Sequence, residues 1–386
     1  MRKALVLSLS NLQHDARVTR QVGFLAADFE VTLAAFGPGR AAHHHFIPLT
    51  APRLTLWRKF SIAAFSLLSL YRKAWTTWHD YQRFELQLIA PWDLIVANDA
   101  ETLPLAFRIR GTSDARVVFD AHEYAPRHFE DRPVWRLIFQ PINNWICRTF
   151  IPQAAAVFTV GKGLADEYAR HFPCRPVIIT NAPAFRSLEP VPPSGTRIRL
   201  VHHGIANPSR RLELLHTLME HLNDRFSLDL YLVTSDQASK GTRGYIERLR
   251  VKFGSHPRIR VHPPVPGHEL VDVLHQYDAG IFLLPPENFN YANTLPNKLF
   301  DFIQARLAVI VGPSPEMAEV VRRYDLGVVG GSFDPVALAA QLTQLTPERL
   351  RHHKECARIA AQECCAEKNE LVFRKTIEDA MGKNRR

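Results

Sequence analysis

The amino-acid sequence predicts an α/β protein made of two doubly wound, Rossmann-like domains. Short apolar or β-branched runs alternate with helix-like stretches along the chain, which is the pattern of parallel strands buried on both faces. A proline-rich stretch over residues 181–195 interrupts this alternation near the middle, because proline is poorly tolerated in helices and central strands. The length of 386 residues also suits two domains.

The first half of the chain predicts one such domain, over residues 1–185. Helical segments that begin near Asp15, Leu103 and Gly163 separate short apolar runs. Strands that alternate with helices in this way form a parallel sheet. The predicted strands are residues 4–8, 30–35, 94–98, 117–120, 156–160 and 177–180.

The second half repeats the pattern after a predicted linker at 186–196, and 197–365 form the second predicted domain. A charged helical segment follows from Pro347, and its last part, 366–386, is expected to pack back on the first domain. Because ligands bind at the carboxyl ends of such strands, the architecture predicts an inter-domain cleft. The predicted strands are 198–202, 228–233, 259–261, 280–284 and 309–312, and the predicted helices are 211–222, 245–253, 268–276 and 297–305.

Composition narrows the classes of partner. The 48 Lys and Arg residues outnumber the 38 Asp and Glu residues, and the net charge of +10 favours anionic partners. Nucleic acid is not expected, because the basic residues are scattered and no nucleic-acid module is recognisable. The five cysteines form no disulfide framework, and no pair of them has zinc-ligand spacing with partner histidines. The apolar run at the N-terminus is too short for a secretory signal, so we expect a reduced, cytoplasmic protein.

The segment from Asn293 to Gly312 carries the strongest chemical signal. A loop closes with Pro296 and a helix begins at Asn297, so backbone N–H groups and the positive helix end predict an anion site. Lys298 adds a mobile charge, and Asp301 could accept hydrogen bonds from sugar hydroxyls. The alternative is an ordinary strand–loop–helix unit in which Asp301 is a solvated first-turn acid.

This segment resembles the donor-binding loop and helix of GT-B glycosyltransferases. The similarity is to bacterial nucleotide-sugar transferases of polysaccharide biosynthesis, the group 1 or family 4-like enzymes. Residues 296–302 match the family wording P-N-K-L-F-E-Y, with Asp301 at the Glu position. Asn293 stands where the family has a second Glu, and Arg306 and Ala308 stand where Gly and Pro are usual. The retaining or inverting course therefore stays open.

Two elements of the first half extend the resemblance. The first is Asp15-Ala-Arg-Val-Thr-Arg20, which resembles the D-x-R-V-x-R that opens the first helix in these transferases. The resemblance places Asp15, Arg17 and Arg20 on the acceptor side. The alternative is a helix cap at Asp15 followed by a solvated basic face.

The second element places Asp120, His122 and Glu123 directly after a predicted strand. It resembles the family's D-x-H-E element, in which the histidine approaches the donor sugar. His122 could donate a hydrogen bond or act as a base, and the alternative is a structural Asp–His pair on a turn. The resemblance makes His122, Glu123 and Asp301 the candidate catalytic residues. An acceptor base stays unassigned among His122, Glu123 and Asp15.

The second half supplies the candidate donor-binding residues. Gly204 permits a sharp turn, and Arg210 or Arg211 resembles the basic residue that grips the donor pyrophosphate, with one facing phosphate and the other solvent. Val265 and Pro266 lie by position where the family covers the nucleobase. Glu287 could substitute for the missing Glu. The donor loop itself comprises Asn293, Thr294, Leu295, Pro296, Asn297 and Lys298.

The resemblance implies a glycosyltransferase that moves a sugar from a nucleotide-diphosphate sugar to a glycan or lipid-linked acceptor in bacterial surface polysaccharide biosynthesis. No cofactor is expected, and since the sequence contains no Asp-x-Asp motif, no metal is expected either. A sugar-nucleotide 2-epimerase on the same fold and a non-catalytic GT-B partner subunit are the alternatives.

Residues 57–78 suggest a contact with an anionic membrane, at the inner face if the protein is cytoplasmic. The uncharged run 60–71 is 12 residues long, which is shorter than the roughly 20 needed to span a bilayer. Basic residues flank an aromatic-rich stripe, which suits an interfacial helix; the alternative is a core helix that covers the first sheet. The stripe comprises Trp57, Phe60, Ala64, Leu67, Tyr71, Trp75 and Trp78.

Overall fold

A computed structural model describes residues 1–13, 15–39, 43–79, 88–193, 195, 197–233 and 240–382. The chain divides into two compact units. The first unit comprises Met1–Thr180, Asn288–Asn290 and Asn369–Arg386, and the second comprises Asn181–Glu287 and Tyr291–Lys368.

Each unit contains one fully parallel sheet, which confirms the predicted α/β fold class. The first sheet has 7 strands in the order β3-β2-β1-β4-β5-β6-β7, and the second has 6 strands in the order β10-β9-β8-β11-β12-β13. The strands are β1 (Arg2–Leu7), β2 (Phe29–Ala35), β3 (His45–Pro48), β4 (Leu94–Asn98), β5 (Arg116–Ala121), β6 (Ala156–Thr159), β7 (Val177–Ile178), β8 (Ile198–Ile205), β9 (Phe226–Val233), β10 (Ile259–His262), β11 (Ala279–Phe282), β12 (Ala308–Val311) and β13 (Gly327–Val329).

Most of the helices lie between strands in the chain, and the last three follow β13. In chain order they are α1 (Ala16–Ala26), α2 (Leu56–Leu67), α3 (Tyr71–His79), α4 (Leu103–Arg110), α5 (Pro133–Phe150), α6 (Lys162–His171), α7 (Glu213–His221), α8 (Lys240–Gly254), α9 (Leu270–Leu274), α10 (Phe289–Ala292), α11 (Asn297–Gln304), α12 (Pro315–Arg323), α13 (Pro335–Leu342), α14 (Pro347–Glu363) and α15 (Ala366–Gly382).

Several predicted bounds were wrong. The edge strands β3 and β13 were not predicted, because β3 is of mixed polarity and β13 has only 3 residues, which is too short for a strand pattern. The helix expected from residue 211 begins at Glu213, since Arg211 has a left-handed φ of 49°. The helix predicted at 268–276 is confined to α9, whereas α8 begins before its predicted start at 245.

The central strands of the first sheet are buried on both faces. Leu5 and Leu7 belong to one apolar cluster, whereas Ala4 and Val6 belong to another, because successive side chains of a strand point to opposite faces. In β8 of the second sheet, the same alternation places Leu200 in one apolar cluster and Val201 in another. Burial on both faces explains why these strands appear in the sequence as nearly continuous apolar runs.

The division of the chain falls after Thr180 rather than at residue 185. The carbonyl of Pro183 accepts a hydrogen bond from the N–H of Ala366 at 2.8 Å, and the Phe185 N–H donates to the Glu367 carboxylate at 3.0 Å. These backbone bonds make residues 181–185 part of the second unit.

The C-terminal helix α15 contributes to the first unit from Asn369 onward. Phe373 stacks on Phe158, with ring centroids 4.9 Å apart, and the Asn369 side chain donates to the Thr180 carbonyl at 3.0 Å. The aromatic stack places this helix against the apolar face of β6.

Residues 57–78 do not form one helix. They form α2 and α3, which are separated at Ser69, a residue with a φ of 58°. The predicted stripe is divided accordingly: Trp75 is 2% exposed, whereas Trp57 is 82% and Phe60 is 68% exposed. Among the described residues, no helix is long and apolar enough to cross a membrane.

Candidate functional site

Polar side chains meet at the carboxyl ends of β4 and β5 in the first unit. The His122 side chain is 20% exposed, and its Nε2 lies 3.3 Å from Asn98 Oδ1 and 3.5 Å from Asp120 Oδ2. Its Nδ1 lies 3.6 Å from Asp99 Oδ2. The Asn98 amide is oriented by its own N–H donation to Gln21 Oε1 at 2.9 Å. Hydrogen-bond acceptors therefore face both nitrogens of the His122 ring.

These acceptors favour the protonated form of His122. Burial lowers the pKa of His122, but the carboxylates of Asp99 and Asp120 outweigh burial and raise it to about 9. The ring is consequently a cation at neutral pH. Burial raises the pKa of Asp120, but the Arg17 guanidinium and His122 together hold it well below its usual range.

Arg17, which was predicted on the acceptor side, is buried and bonded to Asp120. Its Nε donates to Asp120 Oδ2 at 2.9 Å and its Nη2 donates to Oδ1 at 2.5 Å, which is a bidentate charge-assisted pair. Its Nη1 donates to the Ile179 carbonyl at 2.5 Å. The charge of Arg17 therefore holds the carboxylate behind His122 and does not face solvent.

The other candidates of the first unit have structural partners. Asp15 is the N-cap of α1: its Oδ1 accepts from the Val18 N–H at 3.0 Å, and its Oδ2 accepts from the Ser10 hydroxyl at 2.6 Å. The Glu123 carboxylate lies 2.8 Å from His128 Nε2. Arg20 is half-buried beside a small cavity.

In the second unit, the ammonium of Lys298 is buried in the first turn of α11. Lys298 is 4% exposed, and its Nζ lies 3.8 Å from the centroid of the Phe282 ring. Among the described residues, no hydrogen-bond acceptor contacts this Nζ. Burial and the charge of Arg210 lower the pKa of Lys298 well below its usual value, and Asp301 only partly opposes them.

Gly204 makes room for this ammonium. Its φ is 116°, a conformation that favours glycine, and a Cβ at this position would lie 3.3 Å from Lys298 Nζ. Both the backbone conformation and the nearby ammonium therefore disfavour a side chain at position 204. It lies within β8, which continues beyond the predicted end at residue 202.

Asp301, one turn into α11, faces a histidine that the sequence analysis did not select. Its Oδ2 lies 3.5 Å from His203 Nε2, and the His203 ring packs edge-on against Phe302. Burial, with the charges of Lys298 and Arg210, lowers the pKa of His203 well below its usual value. A neutral His203 therefore adds no charge beside Asp301, and its Nε2, 3.5 Å from the carboxylate, has no hydrogen-bond partner among the described residues.

The start of α11 has the features of an anion site. Pro296 occupies its N-cap position and provides no side-chain cap, so the first N–H groups receive no hydrogen bond from the N-cap residue. Leu295 is buried and Asn297 is exposed. The helix end and Lys298 are therefore adjacent positive groups.

The two neighbouring arginines have different surroundings. Arg210 ends a single turn of 3-10 helix, is half-buried, and acts electrostatically on Lys298. Arg211 is exposed, and its Nε lies 3.4 Å from Glu213 Oε1. Arg211 therefore lies at the surface, and the expectation that Arg210 faces the donor phosphate stays a prediction.

The remaining candidates lie in loops and show no comparable geometry. Val265 is half-buried and Pro266 is exposed, both after β10. Glu287 is exposed, and Asn293 and Thr294 are half-buried. Their assignments to the donor stay predictions.

Arg306, which stands where the resembling family has Gly, acts structurally. It is 1% exposed with a φ of 59°, which explains why glycine suits this position. Its guanidinium donates to the carbonyls of Leu188, at 3.0 Å, and Gln304, at 2.8 Å. It also donates to the Arg186 carbonyl. Arg306 therefore anchors residues 186–188 to the end of α11.

Sequence reasoning missed Asn98, Asp99 and His203. Asn98 and Asp99 end a strand that was predicted, and the rule that drew attention to Asp120 and His122 after β5 applies equally to them. His203 was placed beyond its strand, so its burial beside Asp301 was not expected. For Asn98 and Asp99 the signal was present in the sequence.

Many solved structures resemble the whole chain, and three of them illustrate the similarity. A sucrose-phosphate synthase from Thermosynechococcus elongatus has a TM-score of 0.72 and 15% identity, over 100% of both chains. HepE of Anabaena, in complex with UDP-glucose, has a TM-score of 0.69 and 12% identity, over 98% of this chain and 100% of that chain. The α,α-trehalose 6-phosphate synthase from Burkholderia multivorans has a TM-score of 0.66 and 11% identity, over 99% of this chain and 98% of that one.

These similarities confirm the predicted fold, with two Rossmann-like domains of the GT-B type. No protein-family model matches the chain, and no curated protein matches it by sequence.

Proposed function

We propose that this chain is a glycosyltransferase that moves a sugar from a nucleotide-diphosphate sugar to a glycan or lipid-linked acceptor. The observation that carries the proposal is the ammonium of Lys298, which is buried without a hydrogen-bond acceptor among the described residues. Leaving a buried cation unpaired is costly, and a diphosphate supplies the acceptor. HepE, which has the same fold, was solved with UDP-glucose and with UDP, and this supports the ligand class.

The reaction breaks the bond between the anomeric carbon and the β-phosphate oxygen. The acceptor hydroxyl forms the new glycosidic bond, its proton leaves to a base or to the departing phosphate, and negative charge grows on the nucleotide diphosphate. Lys298, Arg210 and the positive end of α11 are the groups that stabilise this charge. Asp301, whose Oδ2 lies 3.5 Å from His203 Nε2, accepts hydrogen bonds from sugar hydroxyls.

His122 serves this reaction as a hydrogen-bond donor. Acceptors at 3.3–3.6 Å from its two nitrogens and a pKa raised to about 9, where burial is outweighed by Asp99 and Asp120, make it a poor base at neutral pH. We therefore assign the cationic ring to a sugar or phosphate oxygen. The base is instead a carboxylate, and Asp99, whose side chain is 45% exposed, is better placed than the cap residue Asp15.

The proposal includes no metal or cofactor at this site. Lys298, Arg210 and the helix end supply the positive charge that a metal ion supplies to leaving diphosphates in other enzymes. Transfer activity should persist in a strong chelator at the rate measured without it. Loss of activity that added Mg²⁺ or Mn²⁺ restores would contradict this part of the proposal.

Diphosphate recognition can be tested apart from catalysis. Arg210→Ala should weaken the binding of a nucleoside diphosphate by about 1.5–3 kcal/mol and leave the affinity for the nucleoside unchanged. Arg211→Ala is the matched control, because its guanidinium faces Glu213. Equal losses for diphosphate and nucleoside in Arg210→Ala would refute the assignment.

A peripheral location at the cytoplasmic face of an anionic membrane is part of the proposal, and α2 and α3 support it. Leu56, Trp57, Phe60 and Leu68 are 84%, 82%, 68% and 69% exposed. Single exposed apolar residues are ordinary, but a group of this size marks an interaction surface. The basic residues of the same segment, Arg58, Lys59, Arg72 and Lys73, provide charge complementary to anionic lipid. A lipid-linked acceptor of surface polysaccharide synthesis would be reached there.

Vesicle co-sedimentation tests the membrane contact. The chain should bind vesicles that contain phosphatidylglycerol, release them as salt rises, and ignore vesicles of phosphatidylcholine alone. The double variant Trp57→Ser, Phe60→Ser should lose this binding, and Val251→Ser, which changes an exposed residue of α8 in the second unit, should keep it. Absence of binding to anionic vesicles at low salt would contradict the membrane contact and leave the transferase proposal intact.

A 2-epimerase and a non-catalytic partner subunit remain the competing functions. An epimerase would release an epimerised sugar nucleotide in the absence of any acceptor. Asn293, which stands where the resembling family has Glu, favours the partner-subunit alternative. Arg306, which stands where the family has Gly, does not favour it, because Arg306 anchors residues 186–188. A subunit of that kind would bind no sugar nucleotide by itself.

A further inference from the structure

The chain passes from the first unit to the second within the short helix α10. Asn288–Asn290 belong to the first unit, and the chain belongs to the second unit again from Tyr291. Asn290 is 5% exposed, and the candidate donor loop begins three residues later, at Asn293. Hydrogen bonds hold each side of this crossing within its own unit.

In the first unit, the Asn290 amide binds the backbone of the loop that follows β5. Its Oδ1 accepts from the Tyr124 N–H at 2.7 Å. Its Nδ2 donates to the Tyr124 carbonyl at 3.3 Å and to the Arg127 carbonyl at 3.4 Å. An amide has one acceptor oxygen and two N–H donors, so these partners use the whole group and fix its orientation. A side chain without the amide cannot make the three bonds.

Two further side chains hold the same loop. Tyr168 Oη donates to the Glu123 carbonyl at 2.8 Å and accepts from the Ala125 N–H at 3.1 Å. Asn143 Nδ2 donates to the Ala125 carbonyl at 3.1 Å. Buried backbone groups need such partners. Tyr168 and Asn143 lie in α6 and α5, whereas Asn290 supplies its bonds from the segment that leads into the donor loop.

Phe289 adds packing to these hydrogen bonds. Its N–H donates to Glu130 Oε1 at 2.8 Å. Its ring lies edge-on to the Tyr124 ring, with centroids 5.4 Å apart, and the Arg127 guanidinium lies 4.5 Å from its centroid. The start of α10 is therefore packed against the loop after β5 as well as bonded to it.

In the second unit, the next residue is bonded to the turn that carries Arg210. The Tyr291 hydroxyl lies 2.7 Å from Ser209 Oγ. Because the Ser209 hydroxyl donates to Asn207 Oδ1 at 2.9 Å, the Tyr291 hydroxyl is the donor to Ser209. Asn207 Oδ1 also accepts from the Arg210 N–H at 3.1 Å.

We propose that Asn290 is a positioning residue for sugar transfer, which holds the backbone after His122 and links it through the chain to the donor loop. The inference rests on the proposed function, in which the donor loop and His122 serve the same reaction. His122 is two residues from Tyr124, so releasing the Tyr124 backbone frees the main chain that carries the ring. A misplacement of about 1 Å can cost about 10²-fold in rate.

Hydrogen exchange, read by mass spectrometry on the full chain, tests the hold on this backbone. Asn290→Leu keeps a similar volume and removes the three hydrogen bonds. Without ligand, it should speed the exchange of residues 122–130, and of the Tyr124 amide above all, by about 10-fold or more. Exchange in β1 and β4 should not change. Asn290→Ala should give the same result and replaces Asn290→Leu if that variant does not fold.

Asn288→Leu is the matched control. Its amide donates to Asp131 at an exposed site, at 3.2 Å, and does not bond the Tyr124 backbone. Residues 122–130 should therefore exchange in Asn288→Leu as they do in the wild type.

The same measurement with a nucleoside diphosphate separates positioning from structural support. ADP, GDP, UDP and CDP are added in turn. The diphosphate that slows the exchange of residues 293–304 in the wild type should also slow that of residues 122–130, because a filled donor loop restrains the segment that ends in Asn290. In Asn290→Leu it should slow only residues 293–304. A residue with a purely structural role would show no ligand effect at 122–130 in either protein.

Two results would overturn the proposal. One is equal exchange of residues 122–130 in the wild type and Asn290→Leu. The other is a diphosphate that protects residues 293–304 of the wild type and leaves 122–130 unprotected. If no diphosphate protects residues 293–304, the proposed function fails and the positioning role fails with it, whereas the ligand-free exchange still decides whether Asn290 holds the Tyr124 backbone.

Discussion

Replacing Lys298 by methionine should separate stability from ligand binding. In the free protein the ammonium is 4% exposed and has no hydrogen-bond acceptor among the described residues. Methionine keeps the length and apolar stem of the side chain and removes the charge. The structure therefore predicts that Lys298→Met costs the protein little or no stability, although it replaces a buried side chain.

The magnitude follows from opposing contributions. An unpaired buried polar group costs about 1–3 kcal/mol, and the cation–π contact with Phe282 at 3.8 Å returns about 0.5–2 kcal/mol. The free energy of unfolding should thus change by between about −1 and about +2.5 kcal/mol. Affinity for a nucleoside diphosphate should fall by about 1.5–3 kcal/mol, which is about 10- to 150-fold in Kd.

Lys354→Met is the matched control, because Lys354 is another buried lysine of the same unit. It is 1% exposed, and its ammonium donates to the Tyr277 carbonyl at 2.7 Å, at the amino end of β11. Its replacement leaves that carbonyl unpaired and should lower the free energy of unfolding by about 1–3 kcal/mol. Affinity for the nucleoside diphosphate should not change.

Denaturant unfolding and titration calorimetry, on both variants and the wild type, supply the required numbers. The reasoning is refuted if Lys298→Met is destabilised as much as Lys354→Met while its diphosphate affinity is unchanged. Lys298 would then be a residue of the core that contributes to stability and not to diphosphate binding.

Three further predictions concern the first unit and Arg306. His122→Gln should lower kcat by about 10²-fold or more with the nucleotide Kd almost unchanged, and wild-type turnover would return His122 to a structural role. The pKa of His122 is about 9 in the folded protein and about 6.5 in the unfolded chain. Its ion pairs with the neighbouring carboxylates therefore stabilise the fold fully below about pH 6.5, and this contribution is lost as pH rises through about 9. The free energy of unfolding, measured across this range, should decline in the wild type and not in His122→Gln. Arg306→Gly should lower the free energy of unfolding by about 1–3 kcal/mol without changing diphosphate affinity, and an altered affinity at unchanged stability would place Arg306 in the site.

Most of the fold was predictable because strands buried on both faces leave continuous apolar runs. β1, β4 and β5 were recognised for this reason. The edge strand β3 was not, because half-exposed residues such as those of 45–48 carry mixed polarity. The break at Ser69 was also unpredictable, since a positive φ at serine leaves no signature in the sequence.

The candidate site was predictable in part. Motif spacing located Lys298 and His122. Only the structure shows that the Lys298 ammonium lacks a hydrogen-bond acceptor among the described residues and that acceptors face both nitrogens of the His122 ring. Arg17 illustrates the limit: its pairing with Asp120 joins residues that are far apart in the chain, and charge patterning alone suggested a solvated face.

Thermal unfolding in the presence of nucleoside diphosphates tests the central claim most directly. At about 100 times its Kd, a cognate diphosphate should stabilise the wild type by about 2.7 kcal/mol, which raises the unfolding temperature by about 5–10 °C if the unit that binds it unfolds by itself as a domain of about 150–250 residues. A panel of diphosphates and their nucleosides, with Lys298→Met beside the wild type, covers the unknown base. The account predicts that one diphosphate gives this shift in the wild type, that its nucleoside gives much less, and that Lys298→Met loses most of it. No shift with any diphosphate, or equal shifts for diphosphate and nucleoside, would contradict a nucleotide-sugar transferase.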